Sequence, residues 1–123
     1  MALACHSQDL YLIVGQSNAA GRGDLPTNPQ AIDGVKILDD SGTFIDAFLN
    51  LNEYSTVRKT STTQGFNLGY TFGGAMHAHS NKEIRLVVNA RGGTSIVNWA
   101  PGVIDEVSIR SEMLRMLIIL EWM

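Results

Sequence analysis

Ser17 is the residue in this sequence best placed to do chemistry. It stands in "YLIVGQSNAAGRGDL" (11–25), where an apolar run meets a glycine and turns. A serine at the end of a strand becomes a nucleophile when it has a sharp turn exposing its hydroxyl, N–H donors for an oxyanion, and a base. Gly15-Gln16-Ser17-Asn18 can supply the turn, with a helix starting near Ala19. The Ser17 N–H would then lie at a helix N-terminus, where developing negative charge is favoured. The competing reading is a serine that caps the helix or fills the turn, and on spacing alone it is the better one.

Other uses of this loop fail on inspection. The G-x-S-x-G elbow of lipases needs glycine at position 19, which is alanine. A Walker phosphate loop needs four residues between its glycines followed by Gly-Lys-Ser/Thr, but five separate Gly15 from Gly21, and Arg22 follows. No G-x-G-x-x-G dinucleotide fingerprint occurs. The second informative loop, Gly92-Gly93-Thr94-Ser95, can turn backbone N–H groups toward an anion, or can simply need glycine for its φ angles. Trp99 can line a sugar or acyl pocket, or pack. His77 and His79, two apart on a helix, point about 200° from each other and cannot form a metal pair. They suit the end of a helix, where imidazole complements the dipole.

These residues need elements to hold them. Residues 9–14, "DLYLIV", suit a buried strand ending at Gly15. "GVKILDD" (34–40) reads as a second strand, and "SGTFIDAF" (41–48) continues it as a hairpin through Ser-Gly. Residues 50–64 are polar and aperiodic, which predicts a surface loop. "GFNLGYTFGGAMHAHS" (65–80) has helical spacing, with small residues suited to close packing on a sheet. "EIRLVVNA" (83–90) is the clearest strand, and 91–102 is a glycine-rich loop. "VIDEVSIRSEMLRMLIILEW" (103–122) reads as a helix passing into an apolar strand at 117–120. This alternation predicts an α/β sheet whose sites lie at the carboxyl ends of the strands, where the loops bearing Ser17 and Gly92 meet.

Composition narrows the classes. The 123 residues suit one domain, with 45% hydrophobic and 17% charged residues and a net charge of −3. Nothing there supports nucleic-acid binding. Cys5 is the lone cysteine, so an internal disulfide and CxxC-type metal spacing are impossible. No run approaches the roughly 18 apolar residues of a membrane helix. "MALACHSQ" lacks the charged and apolar regions of a signal peptide, although "ALAC" is faintly similar to the end of a lipoprotein signal.

Three stretches together resemble a family. "LIVGQSNAAGRG" is similar to the first block of SGNH-type serine esterases, in the branch of sialic-acid O-acetylesterases and carbohydrate esterase family 6, the acetylxylan-esterase-like proteins. "GFNLGYTFGGAM" resembles the second block and "NARGGTSIVNW" the third. The three cover about residues 9–110 in the family's order. The resemblance implies an α/β three-layer sandwich with a mostly parallel sheet of the SGNH/flavodoxin-like kind. It also implies hydrolysis of O-acetyl esters on carbohydrate or sialic acid, without metal or cofactor. Ser17 would be the nucleophile, and the N–H groups of Ser17 and of Gly65 or Gly93 would hold the oxyanion. Gln16 and Asn18 would order the turn, and Thr94 and Trp99 would shape the pocket.

The departures are specific. Ala19 stands where the family commonly has methionine, a packing change. The family's His-Gln-Gly-Glu stretch and its Asp-x-x-His pair do not occur, and no histidine follows His79. The expectation is therefore the N-terminal portion of an esterase domain, with an exposed apolar sheet edge and little activity on its own. Two other classes stay open: a non-catalytic carbohydrate-binding remnant, and a phosphate- or nucleotide-binding α/β module.

Overall fold

A computed structural model of the chain describes residues 8–28, 30–55 and 65–100. Cys5, His6, residues 56–64 of the polar stretch and the helix and strand expected over 103–122 lie outside the described residues. Strands β1 (Gln8–Gly15), β2 (Val35–Leu38), β3 (Phe44–Asp46) and β4 (Glu83–Ala90) form one sheet in the order β1-β4-β2-β3. β1, β4 and β2 run parallel, and only β3 is antiparallel. This is the expected α/β architecture, with the mostly parallel sheet that the resemblance implies.

Helix α2 (Leu68–Ser80) covers one face of the sheet. Asn67 starts it by accepting the Gly69 N–H at 2.9 Å, and Asn81 stops it in the left-handed conformation at φ 54°. The helix can approach closely because Gly69 and Gly73 face the sheet. A Cβ on Gly73 would stand 3.0 Å from Val35 and 3.3 Å from Leu86, and one on Gly69 would press on Ile13 and Leu51. Tyr11 and Phe72 meet edge to face at 5.0 Å between ring centres. The main core lies in this layer, around Ile13, Val35, Ile37, Leu51, Ile84, Leu86 and Val88.

Two expectations change. β1 is not a buried strand: among the described residues it is an outer strand, and only Ile13 of its side chains is buried. Leu10, Leu12 and Val14 face the other way and are 48%, 37% and 41% exposed. Parallel strands normally have both faces covered. On this face of β1 the apolar side chains stay partly exposed among the described residues. The polar stretch from residue 50 is also more than a surface loop. Leu51 enters the core, and Asn52, 4% exposed, clamps the end of β4. Its amide donates to Ala90 O at 3.0 Å, and its oxygen accepts from Ala90 N at 3.2 Å. Asn52→Ala removes the Asn52 partner of Ala90 N and leaves Ala90 O with only the longer bond from Ser55 Oγ at 3.4 Å, and a loss of about 2 kcal/mol of stability is expected in urea unfolding.

The β2–β3 hairpin turns as predicted, on Asp39. Its carboxylate accepts from Ser41 Oγ at 2.7 Å and from the N–H groups of Ser41 and Thr43, each at 2.9 Å. The Ser41 hydroxyl first, and the backbone donors after it, hold the Asp39 pKa below its ordinary 3.8. The lowered folded-state value means the carboxylate supports the turn above the ordinary pKa and releases it as pH falls through the lower one. In an acid titration, the Ser41 and Thr43 amide resonances are expected to move together with a midpoint below 3.8. Movement at or above that value would contradict the assignment.

Candidate active site

β1 and β4 are neighbours in register from Gln8–Glu83 to Gly15–Ala90, so their carboxyl ends lie side by side. The two loops expected to meet do meet, and the Arg91 N–H donates to Gly15 O at 2.9 Å. Helix α1 (Ser17–Ala20) starts at Ser17, two residues earlier than expected, and is a single turn. Its contribution is local N–H groups rather than a long-helix dipole. Gln16, not Ser17, is the capping residue.

Ser17 is half-buried, and its donors converge. Both its N–H and its Oγ–H reach Gln16 Oε1, at 3.3 Å and 3.1 Å. The Gln16 carboxamide oxygen thus marks a position that an ester carbonyl oxygen could take. Asn18 is exposed, and no hydrogen bond of its side chain occurs among the described residues.

The third block forms a turn and then a short 3-10 helix, Ile96–Trp99. Thr94 Oγ1 donates to Arg91 O at 2.8 Å and accepts from Trp99 Nε1 at 3.1 Å, so Thr94 fixes the indole. Trp99 and Thr94 then line a hollow of about 460 Å³ with Val14, Gly15, Gln16 and Ile96. Gly93 has φ +77° and open space where a side chain would be, whereas Gly92 packs close to Ser17. A Cβ on Gly92 would lie 3.8 Å from Ser17 Cα and would overlap the end of the Arg22 side chain.

Gly65 lies against the strap that follows α1. Gly23 and Phe66 exchange backbone hydrogen bonds at 3.1 Å and 2.8 Å, and this pairing joins the first block to the second. Asn67, 2% exposed, sits beneath Gly21 with its Nδ2 unpaired among the described residues.

The two described histidines, His77 and His79, stand elsewhere. His77 is near the end of α2, its Nδ1 is 2.7 Å from Lys82 O, and its ring packs on Gly34. Lys82 and Gly34 precede β4 and β2, so His77 sits at the amino ends of the strands. The eight residues of β4 separate it from the Ser17 edge by roughly 25 Å. His79 is exposed on the same helix. Among the described residues no group of three or more His, Cys, Asp or Glu could hold a metal, and no helix is long and apolar enough to cross a membrane.

A family profile described as carbohydrate esterase, sialic acid-specific acetylesterase matches residues 7–118. The chain belongs to this carbohydrate esterase family. Among solved structures it is similar to a protein from Arabidopsis thaliana determined at 1.6 Å resolution, with a TM-score of 0.68 and 24% identity. That likeness covers 93% of this chain and 50% of the Arabidopsis chain, so the present chain spans half the length of that structure. No curated protein matches. The family is one of acetylesterase-type hydrolases, and the solved structure supports the fold.

Sequence reasoning did not foresee that the Arg22 side chain lies over Gly92. Its closeness to Gly92 arises between residues seventy apart and leaves no local pattern.

Proposed function

We propose that this chain carries the nucleophile half of an esterase that removes O-acetyl groups from carbohydrate or sialic acid. Ser17 Oγ attacks the acetyl carbonyl carbon, and its proton passes to a base from outside the described residues. The carbonyl oxygen becomes an oxyanion held by the Ser17 N–H and the N–H of Gly65 or Gly93. Collapse expels the sugar hydroxyl and leaves acetyl-Ser17, which water then hydrolyses. Gln16 and Asn18 order the turn, and Thr94 and Trp99 shape the acetyl or sugar pocket. The observation that carries this reading is the convergence of the Ser17 N–H and Oγ on one acceptor position.

The second reading, sugar binding without hydrolysis, draws on the distance of His77 from Ser17. One experiment separates the two: mass spectrometry of the chain after incubation with p-nitrophenyl acetate and added imidazole. Acetylation of the peptide containing Ser17 is expected. A folded chain with no acetyl group on Ser17, but stabilised by sugar, would replace the esterase reading with the binding one.

A further inference from the structure

The hollow beside the Ser17 turn is larger and more apolar than an acetyl group needs. Its volume is about 460 Å³. A cavity of about 150 Å³ already holds benzene, so this open hollow has room for several carbons beyond the methyl of an acetyl group. Its wall offers hydrocarbon rather than hydrogen bonds. The Thr94 hydroxyl donates to Arg91 O at 2.8 Å, the Trp99 N–H donates to Thr94 Oγ1 at 3.1 Å, and the Ser95 hydroxyl donates to Asn98 Oδ1 at 3.0 Å. The donors of these three side chains are spent within the loop, and Gln16 turns its oxygen to Ser17. What remains is Val14, Ile96 and the Trp99 indole.

A sugar ring placed against this wall loses water from its hydroxyls and gains few partners in return, which costs free energy for each unpaired group. An alkyl chain gives up nothing polar and gains with every methylene it buries. The apolar surface also continues away from the serine. Val14, Leu12 and Leu10 alternate along β1 onto one exposed face. At about 3.3 Å per residue they mark a track of roughly 13 Å leading from the Ser17 edge.

We propose that this hollow is an acyl-chain site, so that Ser17 takes esters of acids from butyric to octanoic in preference to acetate. The proposal rests on the esterase reading of Ser17 and names its acyl group. The chemical step is unchanged. The Ser17 Oγ–C bond forms, the bond from the acyl carbon to the alcohol oxygen breaks with its electron pair on that oxygen, and the serine proton leaves on the base.

The test is a competition on the full chain between equal concentrations of p-nitrophenyl acetate and p-nitrophenyl hexanoate, with imidazole as base. Mass spectrometry of the peptide containing Ser17 reads the ratio of hexanoyl to acetyl, corrected for the reactivity of the two esters toward imidazole alone. Each further methylene in an open hollow is worth about a factor of two, so hexanoyl-Ser17 is expected to exceed acetyl-Ser17 about tenfold. Ile96→Ser and Val14→Thr are each expected to lower that ratio severalfold. Ile96 is 86% exposed and threonine keeps the branched shape of valine, so the fold is kept, which circular dichroism checks. Leu25→Ser, at an exposed leucine outside the hollow, is expected to leave the ratio unchanged. A wild-type ratio of one or below, or a ratio that survives both Ile96→Ser and Val14→Thr, overturns the acyl-chain site and leaves the esterase reading standing. A folded chain with neither acyl group on Ser17 overturns the esterase reading, and the acyl-chain site falls with it.

Discussion

With imidazole supplied as base, Ser17→Ala is expected to abolish the imidazole-dependent part of acetate release that the wild-type chain shows above buffer. The residues of the triad act as a unit, so a serine without its base keeps an ordinary hydroxyl and little reactivity. A small diffusible base can substitute because Ser17 is only half-buried and lies beside an open hollow. The rate difference between wild type and Ser17→Ala should therefore grow with imidazole concentration and vanish without it. His77→Ala should leave the difference unchanged, because His77 lies at the opposite ends of the strands with its ring engaged to Lys82 O. Initial rates with p-nitrophenyl acetate, corrected for free imidazole, are the measurement. Identical slopes for wild type and Ser17→Ala, or loss of the slope in His77→Ala, would refute this assignment of roles.

The second large effect is on stability. Gly21→Ala is expected to lower it by about 3 kcal/mol or more, and Tm by roughly 10 °C. Gly21 has φ +98°, a conformation that an alanine adopts only with strain, and its Cβ would overlap the Gly65 carbonyl oxygen and stand 2.9 Å from the carbonyl carbon. The obstacle is backbone and cannot swing aside. Gly65→Ala meets the same strap from the other side, overlapping Gly23 O and standing 3.1 Å from Arg22 C. Because both substitutions pry apart one contact, the double variant should lose less than the sum of the singles. Against a typical domain stability of about 5–15 kcal/mol, either change takes a large share. A Gly21→Ala chain melting within a degree or two of wild type would show that the strap does not hold the first block to the second.

Much of the fold was legible because it is written in short-range pattern. The apolar runs at 9–14 and 83–90 became β1 and β4, the Ser-Gly turn became the β2–β3 hairpin, and helical spacing with glycines became a helix packed close to the sheet. His77 and His79 fell at a helix end, as their spacing suggested. Burial was less legible. "DLYLIV" is as apolar as a central strand, yet β1 is outermost among the described residues, and strand order depends on pairing partners that no single stretch contains. Asn52 sat in an aperiodic polar stretch, and only its two bonds to Ala90, 38 residues away, reveal it as a clamp.

The site divides along the same line. Sequence by itself determined that a serine follows a strand-ending glycine, that a glycine-rich loop follows the clearest strand, and that both belong to three blocks resembling one esterase family. Residue type and local spacing suffice for that, because turns, strands and nucleophile loops are built from neighbours along the chain. Only the tertiary structure decided that Gln16 rather than Ser17 caps a one-turn helix, that Gly92 rather than Gly93 packs by the serine, and that Arg22 lies over Gly92. It also separated His77 from Ser17 by the length of a strand. Distances of that kind are set when parallel strands align their ends, and the energy that aligns them comes from a core shared by the whole domain.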